Sequence, residues 1–179
     1  YHRFTPQQSG GMRKAPSIWP LINYDQFKGL VVLVEFSDRK FSTDDPKEFY
    51  LRMTNQEHLY DNSLKYYPVP VEGSVRDYFT DNSGGKFQPQ FDVVGPVTID
   101  YSQYDCQGGY KWGDDGYDAW RSSKITLAAV DAADAEVDFS QYDGDGDGKA
   151  DLVFFIFAGF GANYDGNDKG LWWPHRSIF

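Results

Sequence analysis

The chain has 179 residues, 40% of them hydrophobic and 18% aromatic, with one cysteine and a formal charge of -10. That length suits one domain with a real core, or part of a larger one. The acidity argues against nucleic acid as a partner, because phosphate recognition needs clustered Lys and Arg; a single cysteine, Cys106, rules out an internal disulfide and any CxxC metal site.

Residues 1–27 are rich in Pro, Gln, Ser and Gly, show no sustained period, and read as a lead-in arm ahead of a main region at 28–179. No basic, apolar, small-residue series opens the chain, so a signal peptide is either absent or already removed. Residues 30–36, entered through Gly29, form a β-rich apolar run expected to be a central strand buried on both faces. Asp45-Pro46-Lys47-Glu48 then reads as a helix start, with an N-cap, proline at the first helical position and an acid three on from the cap. This helix is expected to run to about Asn55. A second helix begins at Ser74, with Asp77 placed for a variant capping box and Val75, Tyr78 and Phe79 on its apolar side. Asn82-Ser83-Gly84-Gly85 stops it.

Residues 87–99 alternate as an extended pair interrupted around Gly95-Pro96, which places them towards a sheet edge. A glycine- and aromatic-rich loop follows over 101–116. Asp115 caps the next helix, in which Trp120, Ser123, Leu127 and Val130 share a stripe and which ends near Ala135. The longest apolar run, 152–158, is expected to be a buried strand; at seven residues it is far short of the about 20 that a membrane helix needs. Residues 159–170 form another loop, and 171–179 look extended, apolar and uncapped, as if the chain continues in nature. Strands alternating with helices predict an α/β (α+β) chain, a mixed twisted sheet with backing helices.

The stretch between the last helix and the last strand carries the clearest chemistry. Asp143, Asp145, Asp147 and Asp151 alternate with Gly144, Gly146 and Gly148, and Lys149 offers a backbone carbonyl. Carboxylates are hard donors, and this spacing lets a short loop curl oxygens around one hard cation, so the reading is a calcium loop. Two carboxylates ~4 Å apart repel by roughly 4 kcal/mol at an effective dielectric of about 20, and a divalent ion reverses the sign. The pattern follows an EF-hand loop through its ninth position and then departs: the twelfth is Phe154, and a strand follows. A structural calcium fits that departure better than a sensor does. The plain alternative is a solvated Asp-Gly turn without an ion. Weak calcium loops, at about 10⁻⁴ to 10⁻³ M, work where calcium is plentiful, which points to secretion.

Searches for an active site find none complete. There is no G-x-S-x-G elbow, no phosphate loop, and Gly159-Phe160-Gly161 lacks the third glycine of a dinucleotide fingerprint. Cys106 has only His2, His58 and His175 as candidate partners, and nothing in the spacing joins them. The helical zinc signature H-E-x-x-H is missing. His175 beside Trp173-Pro174 reads as a hydrogen-bonded structural histidine, and His58 as solvent-facing.

Several segments together resemble the secreted bacterial metallopeptidases of the immune inhibitor A family. They are Lys28-Gly-Leu-Val-Val-Leu-Val-Glu-Phe-Ser-Asp38, Gly73-Ser-Val-Arg-Asp-Tyr-Phe79 with Asn82-Ser-Gly-Gly-Lys-Phe87, Val94-Gly-Pro-Val97, the acidic stretch 137–151, and Trp173-Pro-His-Arg176. They occur in the family's order over most of 28–179. The resemblance implies a zincin-like catalytic domain, incomplete here because the family's H-E-x-x-H helix comes after the W-P-H-R-like stretch. It implies peptide-bond hydrolysis of protein or peptide substrates, with zinc polarising the scissile carbonyl and a glutamate taking the proton from zinc-bound water. Zinc is thus expected only beyond Phe179, no catalytic residue is assigned within the chain, and calcium at Asp143, Asp145, Asp147, Lys149 and Asp151 is the one site carried over. Two other readings compete: a calcium-stabilised binding or adhesion module with Tyr110, Trp112, Trp172 and Trp173 as a contact surface, and a degenerate peptidase scaffold.

Overall fold

Strand β1, Lys28–Phe36, organises the molecule: from Leu30 to Val34 no side chain is more than 2% exposed. Successive residues of a strand point to opposite faces, and here both faces are apolar. Leu30, Val32, Val34 and Phe36 enter one core cluster, whereas Val31 and Leu33 enter the other. The structure, a computed structural model, describes residues 27–63, 70–106, 119–144, 146–162 and 171–172, with the backbone alone for 119–123.

After β1 come helix α1 (Pro46–Asn55), the two-residue strands β2 (Tyr60–Asp61) and β3 (Val71–Glu72), helix α2 (Val75–Asn82), strand β4 (Gln90–Ile99), helix α3 (Ala119–Ala133), a 3₁₀ turn (Phe139–Tyr142) and strand β5 (Val153–Phe157). The main sheet has the order β4-β1-β5, and both pairings are parallel, with Val31 opposite Val93 and Leu30 opposite Val153. The chain is therefore α/β with a parallel sheet and three helices among the described residues. Parallel neighbours need a crossover, which α1 and α2 supply between β1 and β4, and α3 between β4 and β5. The expected mixture of strand directions within one sheet is not found among the described residues; the antiparallel pairing is confined to β2 and β3.

The helices cover opposite faces. Ile125, Ala129 and Ala133 of α3 pack on the Leu30 side, and Tyr50 of α1 on the Val31 side. α1 begins where the sequence places it, with Asp45 Oδ1 accepting from Glu48 N at 3.0 Å and proline at the first helical position. α2 has its capping box: Ser74 Oγ accepts from Asp77 N at 3.1 Å, and Asp77 Oδ2 accepts from Ser74 N at 2.9 Å. Its supposed inner face is exposed, however, at Val75, Tyr78 and Phe79. The helix packs on α1 instead of on the sheet, and Phe79 meets the Phe87 ring at 5.5 Å and the Tyr78 ring of its own helix at 5.3 Å between centroids.

Three other expectations need correction. Residues 90–99 form one strand and not a pair, lying at the edge as expected, with an irregularity opposite Val32–Val34. Gly95 makes it possible: φ is +85°, and a Cβ there would stand 2.6 Å from the Leu33 carbonyl oxygen. The α3 stripe is rotated, because Leu127 is 58% exposed while Ile125, Thr126, Ala129 and Ala133 are buried. β5 flanks the sheet and is only partly covered, with Phe154 exposed, instead of being buried throughout. The arm over residues 1–26, the Asp115 cap, the side chains of Trp120 and Ser123, and His175 lie outside the described residues. Among the described residues no helix is long and apolar enough to cross a membrane.

Candidate functional site

The acidic turn is fixed at both ends before any ion is considered. Upstream, Asp138 Oδ1 accepts from Ser140 N at 3.1 Å and from Ser140 Oγ at 2.6 Å, which starts the 3₁₀ turn. That turn delivers Tyr142 into the core, where its hydroxyl donates to Asp92 Oδ2 of β4 at 2.6 Å. Asp92 also takes the Lys28 ammonium, which lies 5.3 Å from the Tyr142 ring centroid. Burial raises the Asp92 carboxyl, but the Lys28 and Tyr142 bonds outweigh it and hold the group below its usual range. Tyr142 moves the opposite way, pushed up by burial and by the Asp92 charge. Downstream, Asp151 N donates to the Tyr142 carbonyl at 2.9 Å and Leu30 N to the Leu152 carbonyl at 3.4 Å, closing the turn and handing the chain to β5.

Within the turn, the Asp143 carboxylate sits at the focus of the backbone. Its Oδ1 accepts from Gly146 N at 2.8 Å and Asp147 N at 3.0 Å, and its Oδ2 from Gly148 N at 2.8 Å. Such wrapping needs left-handed backbone, and Gly146 and Gly148 supply it at φ +74° and +86°. Asp151 Oδ2 accepts from Gly144 N at 2.9 Å, and a Cβ at Gly144 would stand 2.8 Å from that oxygen. Asp147 Oδ1 accepts from Lys149 N at 2.9 Å, while its Oδ2 faces the Lys149 ammonium at 3.4 Å.

The structure thus brings Asp143, Asp147, Lys149 and Asp151 into one turn; Asp145 lies outside the described residues. Among the described residues, no three His, Cys, Asp or Glu side chains converge as a ready metal cluster. The carboxylates are organised by N–H donors and one ammonium. Even so, the donor set fits a hard cation: it is all oxygen, and although Asp143 Oδ1 accepts two N–H groups, Asp143 Oδ2 and Asp151 Oδ2 accept one each here, and a carboxylate oxygen that accepts one N–H retains a second lone pair.

Residues outside the turn carry less chemistry. Cys106 is buried and donates to the Gln103 carbonyl at 3.3 Å; burial, with Asp105 and Asp38, pushes its thiol up to about 12. His58 is exposed, as the sequence suggests, and has a positive φ of 52° although it is not glycine. Trp172 stacks on Phe157 with centroids 4.5 Å apart and is half-buried, so of the aromatic residues considered as a contact surface, the described one belongs to the packing of β5. Sequence reasoning missed the Lys28, Asp92 and Tyr142 network. Its partners stand far apart in the chain, and no local pattern marks them. No family model and no curated protein matches the chain.

Proposed function

We propose that this chain is the N-terminal portion of the catalytic domain of a secreted, calcium-stabilised zinc metalloendopeptidase of the immune inhibitor A type, inactive as this segment alone. The observation that carries the reading is the acidic turn: a backbone wrapped around Asp143 leads straight into β5, which pairs in parallel with β1. Calcium held by Asp143, Asp145, Asp147, Asp151 and the Lys149 carbonyl would fix the approach of β5 to the sheet. The parallel sheet covered by α1 and α3 is compatible with a zincin-like scaffold. Zinc is a different matter: no H-E-x-x-H is present in the sequence, so none of its residues is given a catalytic role.

Two measurements test this. At 10 mM calcium and a dissociation constant of about 10⁻⁴ to 10⁻³ M, binding stabilises the fold by about 1.4–2.7 kcal/mol. That corresponds to a Tm rise of roughly 3–10 °C over chelator-treated protein. Asp145→Ala should remove the rise; an equal Tm with calcium and with chelator rejects the calcium site. For the peptidase reading, the decisive observation is the coding sequence after Phe179. An H-E-x-x-H segment within a few dozen residues supports it, and its absence there rejects it.

A further inference from the structure

The three parallel strands end side by side, and their carboxyl-end loops meet. After β1 the chain turns to α1 on the Val31 side of the sheet, whereas after β4 it turns to α3 on the Leu30 side. Neighbouring strands whose connections leave to opposite faces open a crevice at their carboxyl ends, the usual place for a ligand in such sheets. Two bonds bridge it: Asp38 Oδ2, following β1, accepts from Ser102 Oγ at 2.6 Å, and Asp38 Oδ1 accepts from Gln103 N at 2.9 Å. The loop after β5 adds Gly159 and Phe160, once Ala158 N has donated to the Val34 carbonyl at 2.8 Å.

Arg39 and Gln103 converge on Gly159. A Cβ at that glycine, where φ is +107°, would stand 2.9 Å from Gln103 Oε1, 3.1 Å from Arg39 Cγ and 3.6 Å from Arg39 Nε. The Arg39 guanidinium lies 5.3 Å from the Phe160 ring centroid. Its Nε is buried without a hydrogen-bond partner, and among the described residues it is the one buried side-chain polar atom in that state. Such a donor carries the full cost of its desolvation and calls for a physical reason. Among the described residues, neither the rest of the guanidinium nor the Gln103 carboxamide has a hydrogen bond or ion pair. In a chain with 27 acidic residues, an arginine without a carboxylate is unusual.

We propose that this crevice binds a carboxylate, with the Arg39 fork and the Gln103 amide donating to its two oxygens. A guanidinium and a carboxamide together match a planar, singly charged group. Phosphate fits less well, because Asp38 stands close enough to feel the Arg39 charge and repels a second negative charge. Binding also gives the Nε–H an acceptor once the guanidinium tilts toward the ligand. Glycine at 159 is what lets Arg39 and Gln103 come together there, since any side chain would displace both. The carboxylate belongs to a small organic acid or to an aspartate or glutamate of a polypeptide, and the recognising chemistry is the same. This inference is independent of the peptidase reading and of the calcium turn, since it uses none of their residues.

The probes are propionate and N-acetyl-glutamic acid α-amide, added to the whole chain and followed by the Arg39 Nε–H and Gln103 side-chain amide signals in isotope-edited NMR. Both signals should shift saturably at millimolar probe, whereas neutral N-acetyl-glutamine α-amide should leave them unmoved. Tighter binding of the blocked glutamic acid identifies a polypeptide side chain as the ligand, and tighter binding of propionate a free acid. Arg39→Lys keeps the charge and loses the fork, and should weaken binding about tenfold; Gln103→Ala should weaken it about threefold. Gln103 serves the loop through its backbone N–H and carbonyl, so Gln103→Ala should leave Tm unchanged and its lost affinity cannot come from unfolding. No saturable shift at millimolar probe, an equal response to the neutral amide, or undiminished binding by the two variants would each overturn the proposal.

Discussion

Replacing Asp77 by alanine should be among the most destabilising changes available on the surface of this fold. The Asp77 carboxylate accepts three backbone N–H groups: Ser74 at 2.9 Å, His58 at 2.9 Å and Leu59 at 3.1 Å. The first completes the α2 capping box. The other two hold the loop after α1, where His58 sits at positive φ and the Leu59 carbonyl accepts from Gly73 N at 2.8 Å. One side chain thus ties the start of α2 to the end of α1. Hydrogen bonds to a charged group are worth about 1.5–3 kcal/mol each, and a lost cap about 1. Asp77 is half-buried, so water replaces part of what is lost. The expected cost of Asp77→Ala is about 2–3 kcal/mol, or a Tm lower by roughly 4–12 °C.

The pH dependence supplies the refutation. The Ser74 N–H above all, opposed by desolvation and helped by the His58 and Leu59 N–H groups, lowers the Asp77 carboxyl from 3.8 to about 2. A depressed carboxylate stabilises the fold fully above its unfolded value, and that stability is lost as pH falls through the folded value. At about 1.4 kcal/mol per tenfold change in proton affinity the shift is worth about 2.4 kcal/mol, which solvent screening reduces to about 1. Urea titrations of wild type and Asp77→Asn, followed by far-ultraviolet circular dichroism, should therefore differ by a constant amount above pH 5. The difference should shrink by about 1 kcal/mol between pH 4 and pH 2. A difference that does not change across that window would refute the argument.

Gly29→Ala should cost about 1–3 kcal/mol in the same titration, because its Cβ would stand 2.5 Å from the Phe91 ring. That ring is 5% exposed and packed edge-on against Phe27 and Phe154, so it cannot yield cheaply. Asn55→Ala should cost about 1–3 kcal/mol and raise aggregation in light scattering, since the Phe91 edge it covers becomes open to another chain. Cys106 should remain unreacted with iodoacetamide at pH 8 in native protein and react promptly in urea, because its thiol is buried and pushed up to about 12.

The parts of the fold that were legible in the sequence are those set by neighbours in the chain. The start of α1 follows from Asp45 and Pro46, the α2 cap from Ser74 and Asp77, and β1 from a run that no amphipathic element could accommodate. Where side-chain size had to stand in for burial, the reading failed. On α3 the large Leu127 is exposed, while the small Ala129 and Ala133 are fully buried against the sheet. Alanines let a helix backbone come close to the strands, and hydrophobicity alone does not signal that. Contacts such as Asp38 Oδ2 with Ser102 Oγ at 2.6 Å or Tyr142 with Asp92 join residues 64 and 50 positions apart, and neither has a local pattern.

The acidic turn shows the same division between what a sequence pattern implies and what packing supplies. Counted as bare charges, its aspartates repel by several kcal/mol, which makes a cation look essential. In the structure Asp143 already accepts three N–H groups, Asp151 one, and Asp147 one together with the Lys149 ammonium. Each of those donors lowers the potential that a calcium ion was invoked to cancel. The turn is also bolted in place through Tyr142 and Asp92, independently of its carboxylates. Calcium should consequently act as a modest clamp and not as a condition of folding: chelation should lower Tm by several degrees while the circular dichroism spectrum at 25 °C stays the same. Loss of that spectrum on chelation would mean that the N–H cradle is too weak to hold the turn, and that electrostatic repulsion dominates after all.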